Sequence, residues 1–267
     1  TGEDTLSLHD ALPIFYFCEI WDELENAKPN FRKVDDIYLF IKKTVKKLKS
    51  EIETENKKVI EKGIKCINNN DNILIHSHSN TVLKIISKAK KQGKVFRVVL
   101  AEQEQEKTVD MIKFLKEAKI DFIVVPEFML SHMESEITKV FLGGLTLNNN
   151  YHFVTDAGTN SVVSEFHEAK IPIFIFLSTK KFALWKSKSE HGTHKVHQTR
   201  CCDDSANALT YERIKFSHDR IKVSAVDYIV TEEGKFSAEE IIEVFNAKFQ
   251  ERKKWQERHG LSELNQE

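Results

Sequence analysis

From Asp71 onward, short uninterrupted apolar runs alternate with amphipathic segments, and that rhythm narrows the available folds more than any other feature. The runs are 73–75, 95–100, 122–125, 140–142 and 171–177, built mostly from Val, Ile, Leu and Phe. Between them, 81–91, 108–118 and 161–169 carry apolar residues at helical spacing, with Val109, Ile112 and Leu115 in the second. A strand that is apolar at every position is buried on both faces, so the pattern predicts a parallel sheet with helices on each side. Such doubly wound, Rossmann-like sheets bind ligands beyond the C-terminal ends of their strands.

One junction in this series stands out. The run Ile73-Leu74-Ile75 stops at four polar residues, His76-Ser77-His78-Ser79, and a helical pattern (Val82, Leu83, Ile85, Ile86) starts at once. That reads as strand, tight turn and helix N-terminus, where free N–H groups and the helix dipole favour an anion. His76, Ser77, His78, Ser79 and Asn80 are therefore candidate ligand contacts, set against a simpler role for Ser79 or Asn80 as the helix cap. No glycine-rich loop accompanies the turn, which favours a single phosphate or a sugar hydroxyl over a nucleotide pyrophosphate.

The flanks are helical. From Asp35 to Ile67, residues Ile37, Phe40, Ile41, Val45, Leu48 and Ile52, then Val59, Ile60, Ile64 and Ile67, follow the 3–4 spacing until Asn68–Asn70 ends it. Near the C-terminus, Ser237-Ala-Glu-Glu240 is a capping box opening a helix with Ile241, Ile242, Phe245 and Phe249. The expected organisation is a helical part at 15–70, a Rossmann-like domain at 71–236, with a last strand at 226–230, and a C-terminal helix at 237–267 whose charged tail is frayed from Arg252 onward. Residues 1–14 resemble the translation of a sequencing-adapter fragment, with the true N-terminus expected to be missing. Beyond Phe182 the chain is expected to be irregular through Asp204.

Charge and composition remove several classes. Forty Lys and Arg against 41 Asp and Glu leave a net charge of −1, giving no reason to expect nucleic acid or an anionic membrane as partner. No apolar stretch approaches the roughly 20 residues that span a bilayer. Cys18, Cys66, Cys201 and Cys202 do not form a disulfide framework, and no convincing secretory signal precedes them, so a reducing, cytoplasmic setting is expected.

Further candidates lie along the chain. Leu142-Gly143-Gly144-Leu145, Asn148-Asn149-Asn150 and Asp156-Ala157-Gly158-Thr159 sit at strand ends and helix starts, where glycines allow a ligand or another backbone to approach. His191, His194, His197, Cys201, Cys202 and Asp203 are the residue types of a zinc site. Their spacing is not that of a standard finger, and a polar His-rich loop is the favoured reading. No cofactor is expected. Glu102-Gln-Glu-Gln-Glu106, just past the second strand, would repel a phosphate and weighs against a bisphosphate ligand.

Taken together, these segments resemble the family of the regulatory α, β and δ subunits of translation initiation factor 2B, which also contains ribose-1,5-bisphosphate isomerase and methylthioribose-1-phosphate isomerase. The resemblance runs from about Glu55 to Lys181 and more weakly to Ile229. EKGIKCINNNDNILIHSHSN is similar to the family's helix, DG, strand and THCHS passage; FLGGLTLNNNYHFVTDAGTN to VGADAI..NG.V.NKIGT; and IPIFIFLSTKKF to giPfyV.aetyKF. The resemblance implies a helical part followed by a Rossmann-like domain and a homodimer or larger homo-oligomer. It also implies a pocket bounded by His76, Asn150, Asp156 and Lys181, with Gly143, Gly158 and Thr159 shaping it.

The departures bear on function. The isomerases' catalytic cysteine falls on Ser77, their aspartate on Leu145, the arginine of ETRP on Glu104 and the NK pair on Thr155 and Asp156. A serine hydroxyl needs a nearby base to act as nucleophile, and leucine transfers no proton. The expected function is thus a non-catalytic, initiation-factor-2B-like regulatory or small-ligand binding protein, the ligand being a sugar phosphate or nucleotide. The alternative is an aldose–ketose isomerase of a phosphorylated ribose with a rebuilt site, using Ser77, His78 or Asp156, or His76 as acid or base.

Overall fold

The computed structural model describes residues 23, 24, 27, 33–184, 195–202 and 209–258. Helix α1, Val34–Lys65, carries the first apolar stripe and stops before Asn68-Asn69-Asn70. Its C-terminal half buries Val59, Ile60 and Ile64, whereas Val34, Tyr38, Leu39 and Val45 at its start are exposed. Strand β1, Asp71–Ile75, leads through the polar turn into α2, Asn80–Lys91. Then follow β2, Phe96–Glu102; α3, Gln105–Glu117; β3, Asp121–Pro126; and β4, Lys139–Gly143. A 3₁₀ segment, Glu127–Met133, links β3 to β4. Two short strands, β5 (Thr146–Leu147) and β6 (His152–Asp156), precede α4 (Thr159–Glu168) and β7 (Ile173–Phe176). The chain continues with β8 (Lys195–Cys202), β9 (Leu209–Phe216), β10 (His218–Lys222), β11 (Tyr228–Val230), β12 (Lys235–Phe236) and α5 (Ala238–Arg258).

Seven strands form the main sheet in the order β12-β11-β7-β4-β1-β2-β3. All pair in parallel except β12, which lies antiparallel on β11. The order grows outward from β1 to β3 on one side and from β4 to β12 on the other, so the winding reverses between β1 and β4. Alternation along each strand divides the apolar side chains between two cores. Ile73, Ile75, Val98, Leu100, Phe141, Phe174 and Phe176 meet α1, α2 and α3 on one face. Leu74, Val99, Val140, Leu142, Ile173 and Ile175 meet α4 and α5 on the other. Both faces are apolar because both are covered, the physical cause of the uninterrupted runs.

Two expectations are corrected. The region beyond Phe182 is not irregular throughout: β8 and β9 pair antiparallel over eight residues each, from Lys195↔Phe216 to Cys202↔Leu209. A segment such as Lys-Val-His-Gln-Thr-Arg shows no apolar face because that two-stranded sheet is separate from the main one. The expected fraying from Arg252 onward is also wrong within the described residues, since α5 runs to Arg258 on Gln, Glu, Lys and Arg, all good helix formers.

At the opposite end of the sheet from the candidate turn, a buried ion pair fastens three elements. Lys139 Nζ donates to Asp71 Oδ2 at 2.6 Å and to Cys66 O at 2.8 Å. Asn68 N donates to the same carboxylate oxygen, also at 2.6 Å. The pair thereby joins the end of α1 to the first residues of β1 and β4. Asp71→Ala strands the ammonium and is expected to lower the unfolding free energy by about 3 kcal/mol. Urea unfolding measures it, and an unchanged midpoint would show the pair to be solvated.

Candidate functional site

The winding reverses between β1 and β4, and in doubly wound sheets the C-terminal strand ends at such a reversal are where ligands bind. The backbone there is set by close contacts. Ser77 takes a left-handed conformation, φ +74°, and Ser79 caps α2 by accepting from Val82 N at 3.4 Å. A side chain at Gly143 would place its Cβ 2.1 Å from Ser79 Oγ, so only glycine lets the end of β4 pass this cap. Gly158, φ +93°, begins α4, and a Cβ there would lie 2.5 Å from Glu127 Oε1.

His76 is the centre of a buried polar cluster, only 1% exposed. Thr159 Oγ1 lies 3.0 Å from its Nδ1 and donates its own proton to Asp156 O at 2.7 Å. The threonine hydroxyl must therefore accept from the ring, which makes Nδ1 the protonated nitrogen. Nε2 faces Gln103 Nε2 at 2.9 Å and Glu127 Oε2 at 3.2 Å. The residues just past β1, β2 and β3 and the first residue of α4 thus converge on one imidazole. Gln103 and Glu127 were missed from sequence. Their signal was position alone, each immediately following a strand at the ligand-bearing end.

The predicted residues divide into several groups. His76 and Thr159 meet directly, and Asp156 joins them through its backbone carbonyl. Ser77, His78 and Ser79 make the neighbouring turn, with Asn80 as the first residue of α2. Among the described residues, the Ser77 hydroxyl forms no hydrogen bond. Leu145 donates its N–H to Val154 O, joining the β5–β6 pair. Asn150 is not part of the expected pocket. It sits in the 148–151 turn, where its N–H donates to Asn148 Oδ1 at 3.1 Å, and the length of β6 separates it from Asp156.

Of the zinc candidates, His191 and His194 lie outside the described residues. His197 and Cys201 both lie on strand β8, four residues apart. Among the described residues, no cluster of three or more metal-ligating side chains exists. The acidic segment is partly neutralised, because Glu104 pairs with Lys215 and Lys107. The first turn of α4 receives a carboxylate from the chain itself, Asp219 Oδ2 accepting from Asn160 N at 2.9 Å.

Lys181 enters the crevice from the short turn after β7. Its ammonium donates to Gly144 O at 3.1 Å, and burial pulls its pKa down to about 8 from an ordinary 10.5. Beside it, Thr179 donates both its N–H and its hydroxyl to Glu232. Ser178 donates to Glu55 Oε2 at 3.0 Å, tying the turn to α1.

Residues 19–238 match the Initiation factor 2 subunit family. The chain is 26% identical over 174 residues to the eIF-2B subunit 2-like protein of Pyrococcus furiosus, covering 61% of this chain and 63% of that one. It is 30% identical over 145 residues to translation initiation factor eIF2B subunit delta of Schizosaccharomyces pombe, covering 54% and 31%. Ribose 1,5-bisphosphate isomerase of Archaeoglobus fulgidus is 26% identical over 133 residues, covering 49% and 42%. The tetrameric eIF2B-beta2-delta2 complex from C. thermophilum shares the fold at a TM-score of 0.62 and 17% identity, over 84% of this chain and 70% of that one. The chain thus spans between about a quarter and two thirds of the length of the curated relatives it matches.

Two outcomes are expected from the site. Gly143→Ala should cost about 1–3 kcal/mol by displacing the α2 cap, read from chemical unfolding. For Lys181, the unfolded chain keeps between about pH 8 and 10.5 a proton that the folded chain has released, so stability rises with pH across that window. At pH 7 the buried charge costs about 3 kcal/mol, and Lys181→Met should be the more stable protein there. That advantage should shrink towards pH 10. A wild type more stable than Lys181→Met at pH 7, by urea midpoint, contradicts this.

Proposed function

This chain belongs to the initiation factor 2 subunit family, and on that premise we propose that it is a non-catalytic, initiation-factor-2B-like regulatory subunit. It binds a small phosphorylated ligand, a sugar phosphate or a nucleotide, at the strand ends and works within a homodimer or larger homo-oligomer in the cytoplasm. The observation that carries this is the state of the Ser77 hydroxyl, which has no hydrogen-bond partner among the described residues. An alcohol without a base is scarcely ionised near neutrality and is a weak nucleophile. The leucine at 145 adds no proton-transfer group, and His76 already engages three neighbours. Such a crevice can select a ligand without turning it over.

Oligomer formation is supported by the tetrameric assembly named for the C. thermophilum relative, whose fold this chain shares. The near balance of charge supports partners other than nucleic acid. Among the described residues, no helix is long and apolar enough to cross a membrane.

Incubation with ribose-1,5-bisphosphate, followed by product analysis, tests the reading. No turnover is expected, while a sugar phosphate or nucleoside monophosphate should raise the unfolding temperature. Conversion at the 1 s⁻¹ or more of ordinary enzymes, roughly, lost in Ser77→Ala, would overturn it. Sedimentation should show a dimer or larger species at micromolar concentration, and a monomer there removes the subunit part of the proposal.

A further inference from the structure

The N-terminal half of α1 carries an apolar face that the core does not take up. Val34, Tyr38, Ile41 and Val45 recur at intervals of four, three and four residues, a spacing that puts them on one side of the helix. Val34 is 81% exposed, Tyr38 63% and Val45 44%. Val59, two heptads past Val45 on the same side, is fully buried in the core formed with α2 and the sheet. One stripe thus runs along α1, covered at its C-terminal end and uncovered at its N-terminal end.

Positive charge is gathered on the same stretch. Residues 37–50 contain Lys42, Lys43, Lys46, Lys47 and Lys49 and no acidic residue, so they carry +5 in a chain whose net charge is −1. All five lysines are exposed. Asp35 and Asp36 stand just ahead of them, in the first turn. The overall balance of charge therefore conceals a basic helix face and a remainder of −6. Lys42, Lys46 and Lys49 follow the four-and-three spacing beside the apolar stripe. Lys42 Nζ lies 5.9 Å from the centre of the Tyr38 ring. A contact from upstream, Glu23 Oε1 to Lys47 Nζ at 3.7 Å, falls on the far side of the helix, because Lys47 stands two residues past Val45.

A second copy of α1 is a poor cover for this face, since pairing the two stripes sets one lysine row against the other. The charge calls for an anionic surface. The face is convex, borne by one helix, and its apolar side chains and lysines lie side by side. That arrangement matches the boundary between hydrocarbon and headgroups, where apolar side chains enter and lysine stems reach back to the phosphates. We propose that the N-terminal half of α1 docks the protein on an anionic lipid surface. The helix lies in the plane of the interface, with Val34, Tyr38 and Val45 inserted and Lys42, Lys46 and Lys49 at the headgroups. Residues 34–49 provide about 24 Å of helix, enough to lie along the interface and too short and too charged to cross it. The negative remainder of the chain is repelled by the same surface, which orients the protein on it. This inference goes beyond ligand binding at the strand ends and does not depend on it.

The protein is floated with phosphatidylcholine vesicles, with and without about a third of phosphatidylserine, in dilute buffer and in about 0.5 M salt. The wild type should float with the anionic vesicles alone and be released by the salt. Replacing Lys42, Lys46 and Lys49 together by Gln should weaken binding about a hundredfold, at roughly fivefold per lysine. The pair Tyr38→Ser and Val45→Ser, which keeps every charge, should weaken it about tenfold or more. All these side chains are exposed, so both variants should keep the wild-type circular dichroism and unfolding midpoint. No flotation with anionic vesicles, equal flotation with neutral ones, or wild-type affinity in either variant overturns the proposal. Capture of an acidic protein without flotation gives the face to a protein partner, and self-association lost in the serine variant without flotation gives it to a second copy. Either result also overturns it. If the lysine variant does not fold, the serine variant and the salt dependence decide. Loss of flotation leaves ligand binding at the strand ends untouched, since thermal shift reads that separately.

Discussion

The parallel pairing of β1 with β4 is the constraint on which the rest depends. Their register, Ile73↔Lys139 to Ile75↔Phe141, joins strands separated by two helices and two further strands. It places the exit of β1 against the exit of β4, and the helices that follow diverge to opposite faces. The turn 76–79 and the glycines 143–144 then share one small volume. That packing fits because Gly143 has no side chain to strike Ser79. At the other end of the same two strands, Asp71 and Lys139 close the pairing with a buried ion pair. The crevice is thus framed by a sheet fastened at its far end and separated at its near end, as the winding rule requires.

Within that frame, polar groups divide into those that hold the structure and those left over. His76 bonds Thr159 through Nδ1 and faces both Gln103 and Glu127 with Nε2, and Glu127 lies over Gly158 at the start of α4. Ser79 and Asp219 occupy the first turns of α2 and α4, positions that could otherwise receive an external anion. Glu232 and Glu55 secure the turn after β7. Lys181 and Thr155 remain with donors to spare. Position 77 carries an alcohol between two imidazoles, and position 145 a leucine with no proton to exchange.

Much of this was legible in the chain, for reasons specific to particular segments. The five apolar runs matched strands within one or two residues at most ends, because burial on both faces imposes an unbroken apolar signal. Ser79 as cap and Ser237-Ala-Glu-Glu240 as a capping box followed from the chemistry of orphan N–H groups. Strands β8 and β9 were illegible because backbone pairing, and not an apolar face, defines them. Asn150 was misplaced because a match to a family motif carries no information about which end of a hairpin a residue occupies. Gln103 and Glu127 look like ordinary polar loop residues until β2 and β3 are laid beside β1.

The sequence by itself determined the class of fold, the order of the five buried strands with the helices between them, and the serine and leucine that stand at positions 77 and 145. These are local matters, set by periodicity, caps and side-chain identity. Only the tertiary structure decided which polar groups are satisfied and which are not. That question is settled by residues far apart in the chain, such as Lys181 with Gly144 or His76 with Glu127, and the cost of an unpaired buried group exists only once water has been excluded from around it.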